Sequence, residues 1–388
     1  TPPPSMSSSP STHEPLLVED IIGIVVQYLH FQDVMRLFVC SKDLREAFAT
    51  ERAWKRARFS NPYEVDDATL ASMAACHVAQ TALRHVDLRR CVSVTDVGIQ
   101  RLVSAFPRLT SFQLDGTAGF RVGCTDIAAH AVATLSGLTT LKLRSMPRLR
   151  DAGLAAILRG CSRLRELDLA GCTGLTDAGF LDGLYQADAS PNHRPLALVS
   201  LNLGGCYGVG DSTLRTLAAS IRAAAFSNGD TPGTGLQEAT LSALKRVEGG
   251  GVAALVASSH RSLTHLTLSG CRALRAQAMQ EVASVVETHA TPVHTLNLRS
   301  TLLGPAAILA LVRSCRRSLT VLRMGRCPRC DPRLLFTDLS NTAMPSLCEL
   351  DAEDVATTSD DVAALVGAPW LSQLRRLWLF GAGARRRG

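Results

Sequence analysis

The chain repeats one hydrophobic pattern, Leu-x-x-Leu-x-Leu, along most of its length. The clearest copy begins at Leu164 and continues through Leu167 and Leu169, with Asp168 between the last two leucines. This alternation has a period of two, so it predicts a short strand whose leucines point inward while Asp168 points outward.

A helix is predicted after each strand. In the same copy, Thr176 and Asp177 offer side-chain oxygens that can cap a helix, and Phe180, Leu181 and Leu184 then share one helical face. One unit cannot bury its leucines alone, but a second unit stacked about 4.8 Å away covers them. Since a fully buried leucine contributes about 2 kcal/mol, a contiguous array is well stabilised.

Eleven copies of the pattern are present. They begin at Leu83, Leu109, Leu138, Leu164, Leu198, Leu236, Leu263, Val293, Leu319, Leu347 and Leu374. Most spacings are 26 to 30 residues, and the two longer ones, of 34 and 38, contain residues 191–195 and 227–235, which we interpret as loop insertions. Ala239 and Ala352 replace strand leucines, so those two repeats are expected to pack less well.

The segments outside the array have different patterns. Residues 1–13 are rich in Pro, Ser and Thr and are predicted to be a disordered tail. Residues 14–59 predict amphipathic helices with a break near residues 30–32, and residues 60–82 predict a linking helix that caps the first repeat. The array spans residues 83–380. Residues 381–388 form a basic tail without helix propensity, so the last repeat is expected to be open.

Composition narrows the function classes. Hydrophobic residues make up 46% of the chain but aromatics only 5%, which suits stacked layers of aliphatic side chains. The net charge of +7 is modest, and basic runs interleaved with aromatics are absent, so no specific nucleic-acid partner is expected. No apolar stretch approaches the ~20 residues of a membrane span, and no signal peptide is visible. We expect a location in the cytoplasm, the nucleus or both.

The cysteines follow the repeats. Five of the twelve stand three residues after the last strand leucine or its equivalent: Cys91, Cys172, Cys206, Cys271 and Cys327. A small thiol fits a crowded inner turn, so we predict reduced buried thiols, with Cys172 and Cys206 stacked but unbridged. Cys327 and Cys330 have metal-ligand spacing but lack a second pair. No metal, cofactor or catalytic set is predicted.

These repeats resemble the cysteine-containing subclass of leucine-rich repeats. The resemblance implies an α/β solenoid with a parallel β-sheet on the concave face and helices on the convex face. In such folds the concave strands are the usual binding surface.

The N-terminal segment resembles an F-box, a small all-α module that docks on the Skp-type adaptor of cullin–RING ubiquitin ligases. Residues 17–20 stand where the family opens with Leu-Pro-x-Glu, although Val18 replaces the proline. Tyr28-Leu29 and Asp33-Val34 match the end of the first helix and the start of the second. The residues that the resemblance implies for adaptor binding are Leu17, Tyr28, Leu29, Asp33, Val34, Leu37, Leu44 and Trp54. The alternative is that this segment only caps the solenoid.

The outward strand positions are the candidate surface for a client protein. The residues predicted to bind it are Lys142, Arg144, Asn202, Thr240, Thr267, Asn297, Arg299 and Arg323. Repeats five to seven present small polar groups there, while Arg299 and Arg323 lie on neighbouring strands and are predicted to pair with an acidic or phosphorylated segment.

Together these patterns favour a non-catalytic substrate-recognition subunit of a Skp–cullin–F-box ligase, bound to its adaptor and cullin complex. The alternative is a structural leucine-rich-repeat subunit of a large axonemal or organellar assembly with a vestigial F-box.

Overall fold

The structure, a computed structural model, describes residues 33, 34, 36, 54–59, 61–116, 124–184, 195–227, 235–355, 363 and 365–379. The predicted tails at residues 1–13 and 381–388, and most of the predicted F-box-like module, lie outside these residues.

A parallel sheet of twelve strands, hydrogen-bonded in sequence order, runs through the described chain. The strands are β1 (Arg56–Ala57), β2 (His85–Leu88), β3 (Ser111–Asp115), β4 (Thr140–Arg144), β5 (Glu166–Asp168), β6 (Ser200–Asn202), β7 (Glu238–Thr240), β8 (His265–Thr267), β9 (Thr295–Asn297), β10 (Val321–Arg323), β11 (Glu349–Asp351) and β12 (Arg376–Trp378). Strands β2 to β12 fall where the repeated pattern predicts them, which confirms the repeat solenoid.

Helices alternate with the strands. They are α1 (Asp67–Ala74), α2 (His77–Ala82), α3 (Asp96–Ala105), α4 (Asp126–Val132), α5 (Asp151–Gly160), α6 (Asp177–Leu184), α7 (Asp211–Ser227), α8 (Gly250–Ser258), α9 (Ala276–Thr288), α10 (Pro305–Cys315) and α11 (Pro332–Ser340). Two 3₁₀ helices lie at Pro62–Glu64 and Leu371–Gln373. The α1 and α2 helices occupy the region predicted to link the N-terminal segment to the repeats.

The core lies between the sheet and the helices and is built from the inward strand side chains. Even the two alanines that replace leucines are buried, with Ala239 at 1% and Ala352 at 0% exposure. Ala239 keeps register with Leu201 on one side and Leu266 on the other, so its strand remains in the stack. The expectation of poorer packing there is therefore not borne out by burial.

The sheet begins one strand before the predicted array. Arg56–Ala57 pairs in parallel with His85–Val86. Trp54, Ala57 and Phe59 are buried, and the residues between them are exposed. The alternation of buried Ala57, exposed Arg58 and buried Phe59 was the available signal, but it lacks the Leu-x-Leu motif and lies in a segment predicted to be helical.

An aspartate ladder joins successive helices in the N-terminal half. Asp151, at the start of α5, accepts hydrogen bonds from the Thr176 backbone N–H (2.8 Å) and hydroxyl (2.6 Å) just before α6. Asp177 then accepts bonds from Gly210 (2.8 Å) and Thr213 (2.6 Å) at α7. The further members of this ladder are Asp67, Asp96, Asp126 and Asp211. Each carboxylate thus satisfies otherwise unpaired N–H groups at the start of the following helix.

The cysteine positions form a second ladder on the strand side of the core. Cys172 Sγ donates to the Leu143 carbonyl at 3.0 Å, and Cys206 Sγ donates to the Leu169 carbonyl at 3.1 Å. Burial raises the pKa of both thiols to about 12. Gly171, just before Cys172, has a φ of 76°, which a residue without Cβ adopts at little cost.

Candidate protein-binding face

The outward strand positions form a continuous row across the sheet, which we call the middle row. It consists of Asp87, Gln113, Lys142, Asp168, Asn202, Thr240, Thr267, Asn297, Arg323, Asp351 and Trp378. This register is the one that the alternation predicts. Six of the predicted client-binding residues, Lys142, Asn202, Thr240, Thr267, Asn297 and Arg323, therefore lie side by side with Asp168 among them.

A second row lies two residues further along each strand or the turn after it. It contains Arg89, Asp115, Arg144, Ala170, Gly204, Ser242, Ser269, Arg299, Gly325 and Glu353. We call the two rows together the strand face. The remaining predicted client-binding residues, Arg144 and Arg299, belong to the second row.

Side-chain amide and carboxylate oxygens of the middle row accept hydrogen bonds from backbone N–H groups of the second row. Asn202 Oδ1 accepts a hydrogen bond from the Gly204 N–H at 3.0 Å, and Asn297 Oδ1 accepts one from the Arg299 N–H at 3.1 Å. Asp168 makes the same bond to Ala170 at 3.1 Å. These contacts fix the side-chain orientation before any partner binds, which lowers the entropic cost of binding.

The centre of the strand face is small and neutral. Across β6 to β8 the middle row presents Asn202, Thr240 and Thr267, and the second row presents a glycine and two serines. The Ser269 hydroxyl donates to that of Ser242 at 3.3 Å. Such a surface offers hydrogen-bonding groups without bulk, so a partner's backbone can approach closely.

The basic residues on the N-terminal side of this centre are paired within the chain. Arg144 Nε lies 2.7 Å from Asp168 Oδ2, and the Asp168 side chain is only 9% exposed. The hydrogen bond that Arg144 donates to Asp168 raises the pKa of Arg144. Lys142 lies 3.5 Å from Glu166. Asp115 lies beside Arg144 on the neighbouring strand β3, and burial raises the pKa of its carboxyl.

The basic residues on the C-terminal side are paired as well. Arg299 bonds Asp351, two strands away, at 2.6 Å and also contacts Glu353. Arg323 lies 3.8 Å from Glu349. Arg299 and Arg323 are predicted to pair with an acidic or phosphorylated client segment. In the structure both charges already lie against carboxylates of this chain, more than twenty residues away in sequence, and the client contact stays a prediction.

A different basic group lies at the N-terminal end of the strand face. A cavity of about 210 Å³ is formed by β1, β2 and β3 and is lined by Arg56, Arg58, His85, Arg89, Ser111 and Gln113, together with Asp87. Arg56 and Arg58 were missed at the sequence level because they fall in the segment predicted to be a helical module. The sequence feature that could have revealed these two arginines is the mixture of basic and apolar residues from Trp54 to Phe59.

Three of the predicted adaptor-binding residues lie in the described structure. Val34 is 2% exposed and Trp54 is 0% exposed, and both belong to the buried core. Both side chains are covered in the structure, and their role in adaptor binding stays a prediction. Asp33 is partly exposed and lies 3.6 Å from Arg36. Leu17, Tyr28, Leu29, Leu37 and Leu44 lie outside the described residues.

The two cysteines with metal-ligand spacing, Cys327 and Cys330, donate hydrogen bonds to different backbone carbonyls. Cys327 Sγ donates to the Leu298 carbonyl at 3.3 Å and Cys330 Sγ to the Leu303 carbonyl at 3.6 Å.

Across the described ranges, no helix has both the length and the hydrophobicity to cross a bilayer.

Comparison with known proteins adds sequence relatives. A family model described as "Leucine Rich repeat" matches residues 160–180. The chain is 35% identical over 100 residues to the F-box protein MAX2 homolog A of Petunia hybrida, which is 25% of this chain and 14% of that protein. It is 32% identical over 135 residues to the F-box/LRR-repeat MAX2 homolog of rice (Oryza sativa subsp. japonica), covering 32% and 18% of the two chains.

A third relative is matched over a longer part of its length. The chain is 22% identical over 182 residues to the F-box protein SKIP28 of Arabidopsis thaliana, covering 46% of this chain and 62% of that protein. The alignments thus cover less than two thirds of each of these relatives. A solved structure, the yeast Rad7 and Elc1 complex, aligns with 95% of this chain and 91% of its own at a TM-score of 0.47 and 16% identity.

The leucine-rich repeats are visible in the sheet register and in the family match, and the named relatives are F-box proteins, one of them with leucine-rich repeats. The chain is therefore a leucine-rich-repeat solenoid that is similar, over parts of its length, to F-box proteins.

Proposed function

We propose that this chain is the substrate-recognition subunit of a Skp–cullin–F-box ubiquitin ligase. Its N-terminal module docks on a Skp-type adaptor, its strand face binds a client protein, and the ubiquitin transfer is performed by other subunits. In this role the chain acts in the cytoplasm, the nucleus or both and needs no cofactor.

The proposal rests on the continuous, register-aligned strand face of a leucine-rich-repeat chain that is similar to F-box proteins. The face has a small neutral centre with pre-oriented polar groups, and paired charges flank it on both sides. Paired charges keep the surface soluble and restrict the open binding area to the strands between them.

The adaptor side of the proposal is tested by affinity purification of the tagged chain followed by mass spectrometry. We expect a Skp-type adaptor and a cullin among the recovered proteins. Their absence, together with a stable set of structural partners, would instead support the scaffold function in a large assembly.

The client side is tested by blocking the neutral centre. Thr240→Arg combined with Thr267→Arg places two long cations on adjacent strands, so we expect client proteins to be lost while the adaptor is retained. The matched control is Ala219→Arg with Gln280→Arg, which adds the same charge at exposed positions of α7 and α9. Equal client recovery from both variants would rule out the central strand face as the client site.

A further inference from the structure

The cavity at the N-terminal end of the strand face differs from the rest of that face in its charge balance. Arg56 and Arg58 are exposed, and within the described chain neither guanidinium forms an ion pair. Arg89 differs from them because it bonds both oxygens of Asp87, at 2.9 and 2.7 Å. Among the described residues, the cavity therefore has two guanidinium groups with no carboxylate at ion-pair distance, although Arg58 acts on Asp87 from further away, whereas the strand-face cations Lys142, Arg144, Arg299 and Arg323 have direct carboxylate partners.

Neutral hydrogen-bond donors face the same cavity. The Ser111 hydroxyl and the Gln113 side-chain amide form no side-chain hydrogen bond in the part of the chain that the structure describes. His85 contributes a third polar group, and burial, followed by the nearby Arg56 and Lys55 charges, holds its pKa below the ordinary value. At neutral pH its imidazole is uncharged and can donate or accept through a ring nitrogen.

Two planar guanidiniums and several neutral donors around a cavity of about 210 Å³ suit a compact, highly charged anion. A phosphate monoester carries close to two negative charges at pH 7 and three acceptor oxygens, and it forms bidentate bonds with arginine. A carboxylate carries one charge and would leave one guanidinium uncompensated.

The neighbouring positions of the strand face argue against a run of acidic residues in the ligand. Asp87 lines the cavity, Asp115 lies on β3, and Glu166 and Asp168 lie on β5. Because the β4 cations Lys142 and Arg144 are already paired with the β5 carboxylates, an acidic tract crossing these strands would meet carboxylates without an unpaired cation, and like charges repel. One isolated anionic group, flanked by neutral residues, avoids this repulsion.

We propose that the cavity formed by Arg56, Arg58, His85, Ser111 and Gln113 binds a single phosphorylated side chain of the client protein. The identity of the occupant rests on the proposed function, because the cavity opens on the same strand face as the neutral centre. A client segment that crosses the strands then has its phosphate held at β1 to β3 and its neutral part placed over the following strands.

The test uses the full chain and three immobilised peptide libraries with degenerate flanks, whose fixed central residue is phosphoserine, serine or glutamate. We expect retention on the phosphoserine library alone. Arg56→Gln with Arg58→Gln should weaken it about tenfold or more, because hydrogen bonds to charged groups are lost. The control, Lys245→Gln with Arg272→Gln, removes the same charge at loops after β7 and β8 and should retain binding. Circular dichroism melting confirms that each variant is folded.

The proposal would be overturned by equal retention of the chain on the serine or glutamate library, or by equal loss of binding in the two double variants. It would also be overturned if inorganic phosphate at the peptide concentration competed fully, because that would indicate a site for the free anion. A second readout is the pKa of His85, measured by NMR, which should rise when a retained phosphopeptide is added. These measurements contain no adaptor or cullin, so a failure here is distinct from a failure to assemble a ligase.

Discussion

At the residue scale, the sequence predicts which side chains are buried better than it predicts which charged side chains form ion pairs. The cysteine three residues after the last strand leucine is predicted to be buried. Cys172, one of these cysteines, is buried, and its thiol donates a hydrogen bond to the carbonyl of Leu143 in the preceding repeat. The charge pairs were not predictable, because Arg299 and Asp351 are 52 residues apart and only the sheet brings them together.

His85 gives a prediction at this scale. Its pKa is held down first by burial and then by Arg56, Lys55 and Arg84. We expect Arg56→Gln to raise the pKa of His85 toward its ordinary value without reaching it, since burial remains. An NMR pH titration of the imidazole measures this, with Arg222→Gln on the distant helix α7 as the control. An unchanged His85 pKa would show that Arg56 does not act on the cavity.

The same shift predicts a pH dependence of stability. The folded state disfavours the protonated form of His85, so the unfolded state binds more protons as the pH falls below the ordinary histidine range. This residue's contribution is therefore present at neutral pH and lost on acidification, and Arg56→Gln should reduce that loss.

At the element scale, the strands were predictable and some of their connections were not. The Leu-x-Leu alternation predicted β2 to β12 and their register, because inward leucines can stack in only one phase. Strand β1 was missed because Ala57 and Phe59 replace the leucines. The Thr-Asp pair was interpreted as a local helix cap. Thr176 does cap α6 through Ala178 at 3.2 Å, but Asp177 serves the next repeat.

The aspartate ladder predicts a specific loss of stability. Asp151→Ala removes two hydrogen bonds to Thr176, and we expect it to lower the free energy of unfolding by about 1–2 kcal/mol. The measurement is equilibrium urea denaturation followed by circular dichroism. The control is Asp182→Ala, which removes an exposed ion pair with Arg159 and should cost about 0.5 kcal/mol or less. Similar losses for both variants would contradict the ladder.

At the scale of the whole molecule, the described sheet is not uniformly buried. The inward Leu350 of β11 is fully buried, whereas Leu377 of β12 is 40% exposed. Strand β12 pairs with β11, and within the described chain no further strand covers its other side. An unpaired edge opens more readily than an internal strand.

We therefore expect the backbone amides of β12 to exchange with solvent before those of β4 to β6. Hydrogen–deuterium exchange of the full chain, verified as a monomer, provides the measurement. Protection of residues 376–378 equal to that of residues 166–168 would show that this edge is covered in solution.

The similarity to F-box proteins and the strand face lead to one central proposal, that the chain joins a client to a Skp-type adaptor. The motif at residues 14–59 was identified by its resemblance to the F-box, and the structure adds that its described members Val34 and Trp54 are core residues. We propose that docking depends on Leu29 and Leu44 of that module.

The most direct test of this claim is binding of the purified full chain to a purified Skp-type adaptor, measured by isothermal titration calorimetry. Leu29→Asp combined with Leu44→Asp is compared with the parent chain, and an unchanged far-ultraviolet circular dichroism melt shows that the repeats remain folded. We expect a saturable one-to-one complex for the parent chain and none for the double variant, because a carboxylate buried in an apolar contact is costly. Absence of binding by the folded parent chain, or equal binding by both proteins, would contradict it.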